Sequence, residues 1–243
     1  MSLVFPHTKL SDAILEHLSL IRVVNLFGVR LGTAEKTVLS VCEEHNIDPE
    51  FFLAILNTHL NDNYFPEKKL LSFRITDILD YLDKSNLYCL KVLLPNIERH
   101  LMPLLHSCGP ENKTLAAVGI LFSKVKKTLS DRYKRETEEV FPSIRELYKA
   151  TSDVQSSIKN KDLAVNCCHE NGDSEPESTE EAIFDLKNIL IRHVSGTFDD
   201  NLVHATIFSL DSLEEYLRQQ NRIRLRIFLP MTTEIRNNSL NMQ

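Results

Sequence analysis

The sequence has no tryptophan and only 6 glycines in 243 residues. So little glycine, with few segments that alternate apolar and polar residues, points away from strands and tight hairpins and towards an all-α fold. Long apolar runs are also missing. None approaches the length of a membrane span, so no membrane role is expected. Met1 to Leu20 lacks the basic start, apolar core and small-residue cleavage site of a secretory leader. The five cysteines (Cys42, Cys89, Cys108, Cys167 and Cys168) are odd in number and irregularly spaced, which fits reduced thiols in a cytoplasm better than a disulfide framework. Basic residues are not in excess. With 28 Lys and Arg against 34 Asp and Glu, the formal charge of −6 argues against direct nucleic-acid binding through a general surface. No Ser/His/Asp or Cys/His set, Gly-rich phosphate loop or zinc-finger spacing is present, so the residues point to no enzyme chemistry.

What the chain does have is helical periodicity. Residues 1–65 read as a small helical module. Leu10 to Phe27 reads as one helix capped by Gly28. Thr33 is expected to cap a second, Ala34 to His45, closed by Asn46. Asp48-Pro49 opens a third, with Phe52, Ile55 and Leu56 on its inner face. Pro66 lies in a segment, Asn63 to Lys69, that reads as a hinge.

Residues 70–235 read as four longer helices. The first, about Ile75 to His106, carries a stripe of Ile75, Leu79, Leu82, Asn86, Cys89, Leu93, Ile97 and Leu101, with Pro95 expected to kink it. The second carries Leu115, Val118, Phe122, Val125 and Leu129, and is expected to stop at Phe141-Pro142. Residues 154–181 lose the pattern and read as a mobile loop. Ala182 to Val194 and Asn201 to Phe228 follow, the last ending at Leu229-Pro230.

Polar residues interrupt these stripes at matching places. Continuing the second stripe by threes and fours reaches Arg132 and Glu136; the last stripe reaches Gln220 and Arg224; the first contains Asn86. Charge on a core stripe is costly unless paired or bound. Leu129, Arg132, Glu136, Phe141 and Pro142 match Leu217, Gln220, Arg224, Leu229 and Pro230 at a constant offset, a weak internal repeat of helix pairs. Two such pairs pack naturally as an antiparallel four-helix bundle.

This pattern resembles the hemerythrin-like di-iron bundles. More closely, the chain resembles the bacterial iron–sulfur cluster repair proteins, regulators of cell morphogenesis and nitric oxide signalling. In that family His-x-x-x-Glu stands before a Phe-Pro step, once in each helix pair, and the side chains hold two irons. The resemblance makes Asn86, Arg132, Glu136, Gln220 and Arg224 the positions of former ligands. Of these only Glu136 keeps its identity. The remaining His should lie early in the third bundle helix, where this chain offers only Glu180, Glu181 and Asp185. Asn25-Leu26-Phe27-Gly28-Val29 and Val41 to Asp48 also resemble the family's first domain, but the family's paired cysteines are replaced by Val29-Arg30-Leu31-Gly32-Thr33.

Arginine stays protonated and repels a cation, so no cofactor or metal is expected. The five positions are then read as a polar network, with Arg132 pairing Glu136 along one helical turn. Arg224 is expected to pair with Glu136 or Asp185. A small acidic ligand held by surplus arginine charge is the sharper variant. The function implied is non-enzymatic stress response or regulation through an unknown protein partner or that ligand, with oligomerisation left open. The alternative is a residual di-iron or iron-binding repair protein, or an oxygen or nitric oxide sensor, with unconventional ligands such as Glu136, His100 and Cys89. Cys167-Cys168-His169 lacks a second pair at zinc spacing. Arg218, Arg222, Arg224 and Arg226 read mainly as a solvated face.

Overall fold

A computed structural model describes residues 3–66, 72–107, 112–152, 175–194 and 198–233. Helices are the regular structure of these residues, with no strand among them beyond an isolated bridge between Lys9 and Thr37. The helices are α1 Leu10–Glu16, α2 Leu20–Leu26, α3 Val38–His45, α4 Pro49–Leu60, α5 Ile75–Tyr88, α6 Leu94–Ser107, α7 Lys113–Arg135, α8 Phe141–Ser152, α9 Glu175–His193 and α10 Asp200–Ile223. No described helix is long and apolar enough to cross a membrane. The chain forms two compact units. One is Met1–Lys84, Tyr148–Ser157 and Gln219–Gln243; the other is Ser85–Leu147 and Ile158–Arg218.

In the first unit, α1 and α2 are two short helices where the sequence reads as one. A single helix would rotate the buried set Leu20, Val23 and Val24 off the line of Leu10, Ala13 and Ile14; the break at His17 to Ser19 re-aims it. Gly28 caps α2 with φ +81°, and Val29 N–H reaches back to Val24 at 3.2 Å, closing the helix as expected. The next helix starts later than its sequence suggests. Thr37, not Thr33, is its cap, with Oγ1 accepting from Ser40 N–H at 3.2 Å, while Ala34 takes a left-handed φ of +47° that interrupts any earlier start. Asn46 ends α3 in the left-handed region, and Asp48 caps α4 by accepting from the Glu50 and Phe51 N–H groups. Buried Asn57 exchanges two hydrogen bonds with the Val4 backbone, at 2.8 and 3.0 Å, fixing the segment before α1. Ile75, Ile78, Leu79 and Leu82 of α5 are buried, as are Ile223 and Ile227.

In the second unit, the core is drawn from α6, α7, α9 and α10. All five members of the α7 stripe are buried against Ile97, Leu101, Leu104, Ile183, Leu186, Leu190, Leu210 and Leu213. Each such side chain stabilises by roughly 1.5–3 kcal/mol relative to exposure. Helix α9 begins at Glu175, seven residues before its expected start at Ala182. Proline at its second position needs no N–H there, so Pro176 opens the helix rather than blocking it. The rest of the expected loop lies outside the described residues, as do residues 67–69 of the expected hinge.

Two Xaa-Pro steps, at Pro142 and Pro230, overturn the expected helix ends, while the third, at Pro95, interrupts its helix where a kink was expected. The chain does not stop at Phe141-Pro142: α7 passes through a π turn, Glu136–Val140, straight into α8. Likewise Cys89–Leu93 joins α5 to α6 before Pro95, and Arg224–Phe228 carries α10 past Pro230 to residue 233. In each case the residue before the proline donates its N–H to the carbonyl five residues back: Leu94 to Cys89, Phe141 to Glu136, Leu229 to Arg224. A proline ring in an α-helix clashes with the carbonyl four residues back. Widening the turn by one residue moves that carbonyl away, and the proline then begins the next stretch where its missing N–H does no harm.

Candidate functional site

The polar intruders of the second unit meet at Glu136, the first residue of its π turn. Asn86 from α5 donates Nδ2–H to Glu136 Oε2 at 2.7 Å. Arg132, one helical turn earlier on α7, donates Nε–H to Glu136 Oε1 at 3.2 Å. Each carboxylate oxygen therefore has a protein donor. Asn86 is almost fully buried, and the Arg132 and Glu136 side chains are 13% exposed. The i, i+4 pairing is the one the spacing called for. The next residue, Tyr133, takes the buried place on the α7 face, so the two charged groups sit at the edge of the apolar stripe rather than in its centre.

The other two positions belong to the first unit. Gln220 is buried and donates Nε2–H to Tyr81 Oη at 3.1 Å. Burial pushes the Tyr81 hydroxyl up to about 12, against the opposing pull of that hydrogen bond and of the Arg224 charge. Tyr81 is thus a neutral phenol at any ordinary pH. Arg224 is half-buried; Asp185, one of its expected partners, is an exposed residue of α9. The remaining arginines of the cluster are not simply solvated. Arg222 donates to the carbonyls of Thr58 and His59 at 3.1 and 3.3 Å and pairs with Asp62, and Arg226 donates to the Tyr64 carbonyl at 2.8 Å. Only Arg218 of the second unit, paired with Glu214, is mostly exposed.

Sequence periodicity missed the tyrosines. Tyr216, 1% exposed, donates to the Ser85 carbonyl at 2.7 Å and lies 2.5 Å from Ser85 Oγ, beside Asn86 in sequence. Tyr88 packs on it with ring centroids 5.6 Å apart. A tyrosine counts as apolar on a stripe, so its hydroxyl leaves no mark on the pattern.

The donor set does not fit a di-iron centre. Arginine and asparagine flank the one carboxylate, and both its oxygens are engaged. Among the described residues, no three His, Cys, Asp or Glu side chains are grouped so as to hold a metal ion. Of the alternative ligands, Cys89 is buried and His100 is half-buried on α6. Cys167-Cys168-His169 lies outside the described residues. No family model matches the chain, and no curated protein or solved structure is significantly similar to it.

Proposed function

We propose that this chain is a metal-free, non-enzymatic member of the hemerythrin-like class, a four-helix bundle related to the iron–sulfur cluster repair and nitric oxide stress proteins. It acts in the cytoplasm through a protein partner or a small acidic ligand. The observation that carries this reading is the Glu136 carboxylate, held by Asn86 and Arg132 at the positions where the resemblance puts metal ligands. A guanidinium supplies the positive charge that a metal would have supplied, and it supplies it permanently. The core drawn from α6, α7, α9 and α10, and the π turns at matching places before Pro142 and Pro230, support the bundle and its internal repeat.

The test is elemental analysis and a visible spectrum of protein made in iron-supplemented cells without chelators. Iron far below one equivalent and no oxo-bridge bands are expected. About two irons per chain, with those bands, would overturn the proposal and restore a repair or gas-sensing role.

A further inference from the structure

His59, in the last turn of α4, is a buried titratable group that the proposed function does not use. It is more than nine-tenths buried, and neither ring nitrogen has a hydrogen-bond partner in the protein. A neutral imidazole has one donor and one acceptor, whereas the protonated ring has two donors. Protonated in place, His59 would hold two buried N–H groups and a charge with nothing to receive them.

The groups around it are basic. Arg222 donates to the carbonyls of Thr58 and His59 at 3.1 and 3.3 Å. These belong to the last turn of α4, whose carbonyls have no acceptance left within the helix. The guanidinium thus already supplies the cation that a helix C-terminus favours. Arg22 of α2 acts on the ring as well, and so does His17, at the break between α1 and α2, when it is protonated. The carboxylates at this joint have tasks of their own: Asp62 pairs with Arg222, and Glu16 stands 3.6 Å from His17 Nε2. One helical turn beyond Arg222, Arg226 donates to the Tyr64 carbonyl at 2.8 Å. The two arginines clamp residues 219–233 onto the stretch from Thr58 to Tyr64, within the first unit.

We propose that His59 is an acid-sensitive latch on this clamp: its proton enters only when Arg222 has let go of the end of α4, so acid opens the first unit locally while the second stays folded. The sign follows from the surroundings. Burial and the neighbouring positive charges drive the clamped imidazole down to about 3, whereas a released one titrates near 6.5. The closed clamp is therefore fully favoured above pH 6.5 and loses ground as the pH falls from there towards 3. Opening should be favoured about tenfold or more at pH 5 relative to pH 7. The inference stands apart from the Asn86, Arg132 and Glu136 cluster and from any question of metal.

The experiment is hydrogen exchange of the full chain at pH 7 and pH 5, read by mass spectrometry as protection factors, which remove the intrinsic pH dependence of amide exchange. Peptides covering 55–64 and 219–233 should lose protection about tenfold or more at pH 5. A peptide covering 115–129 of α7 should change less than about threefold. His59→Leu and His59→Gln, neither of which can take up a proton, should each hold the loss in 55–64 and 219–233 below about threefold. Unchanged protection of those two peptides in the wild-type chain, an equal loss in all three, or a full loss that persists in a variant with wild-type ellipticity at pH 7 would each overturn the proposal.

Discussion

Glu136 accepts from Asn86 and Arg132 at once, so its loss removes a shared acceptor rather than one contact. Glu136→Ala should lower stability in urea unfolding by about 2–4 kcal/mol, because it strips a largely buried guanidinium of its carboxylate. Replacing Asn86, Arg132 and Glu136 together by Leu, Met and Leu should recover most of that loss, since the desolvation of the polar groups disappears with them. A cost under about 0.5 kcal/mol for the single change would mean that the cluster behaves as surface. His59 gives a second residue-scale test. It is 4% exposed, and burial, with the charges of Arg22, Arg222 and His17 around it, drives its imidazole down to about 3. It is therefore neutral in the fold and titrates near 6.5 when unfolded. Its contribution is fully present above pH 6.5 and is lost as the pH falls from there towards 3, by up to about 1.4 kcal/mol per pH unit. His59→Leu should flatten that part of the pH–stability profile, which thermal melts at pH 7 and pH 5 would measure. At this scale the sequence marked the polar intruders well, because polarity on an apolar stripe is visible. It could not mark Tyr81, Ser85 or Tyr216, whose polar atoms ride on side chains that suit a buried helix face.

At the scale of elements, caps built from a single side chain were legible and the π turns were not. Asp48-Pro49, Asn46 and Gly28 behave as their chemistry dictates. Thr33 and Thr37 are chemically equal caps, and the left-handed Ala34 decides between them. The steps at Pro142 and Pro230 were read as stops because counting in steps of 3.6 has no place for one extra residue in a turn. Pro142→Ala should change stability by less than about 1 kcal/mol, since the ring occupies a first-turn position that needs no N–H. Lys124→Pro, at an exposed site inside α7, should cost about 3 kcal/mol or more. Urea unfolding followed by helical ellipticity would distinguish the two. Comparable losses would show that α8 does not restart at Pro142.

For the molecule as a whole, the sequence places a boundary between residues 65 and 70, at the segment that contains Pro66. The compact units group otherwise: 72–84 and 219–233 fall with the N-terminal helices. Phe51 packs on Phe73 at 5.6 Å, Phe27 on Tyr81 at 5.4 Å, and Arg222 and Arg226 bond the backbone at Thr58, His59 and Tyr64. A linker announces itself in composition, whereas contacts between residues far apart in sequence do not. A chain shortened to 72–243 should therefore expose the buried faces of Ile75, Ile78, Leu79, Ile223 and Ile227. It should melt lower than the full chain and bind a hydrophobic dye such as ANS. A shortened chain that melts as high and binds no dye would show that the N-terminal helices are dispensable.

The π turns also change what a deletion does. Losing one residue from an α-helix rotates everything after it by about 100° and drags buried side chains to the surface. Losing one from Glu136–Val140 instead takes up the extra residue, and α8 keeps its register on the core. The resulting α-turn would bring a carbonyl back against the Pro142 ring, so the deletion should be tolerated only together with Pro142→Ala. Each proline thus acts as a ratchet that retains one inserted residue in the helix before it.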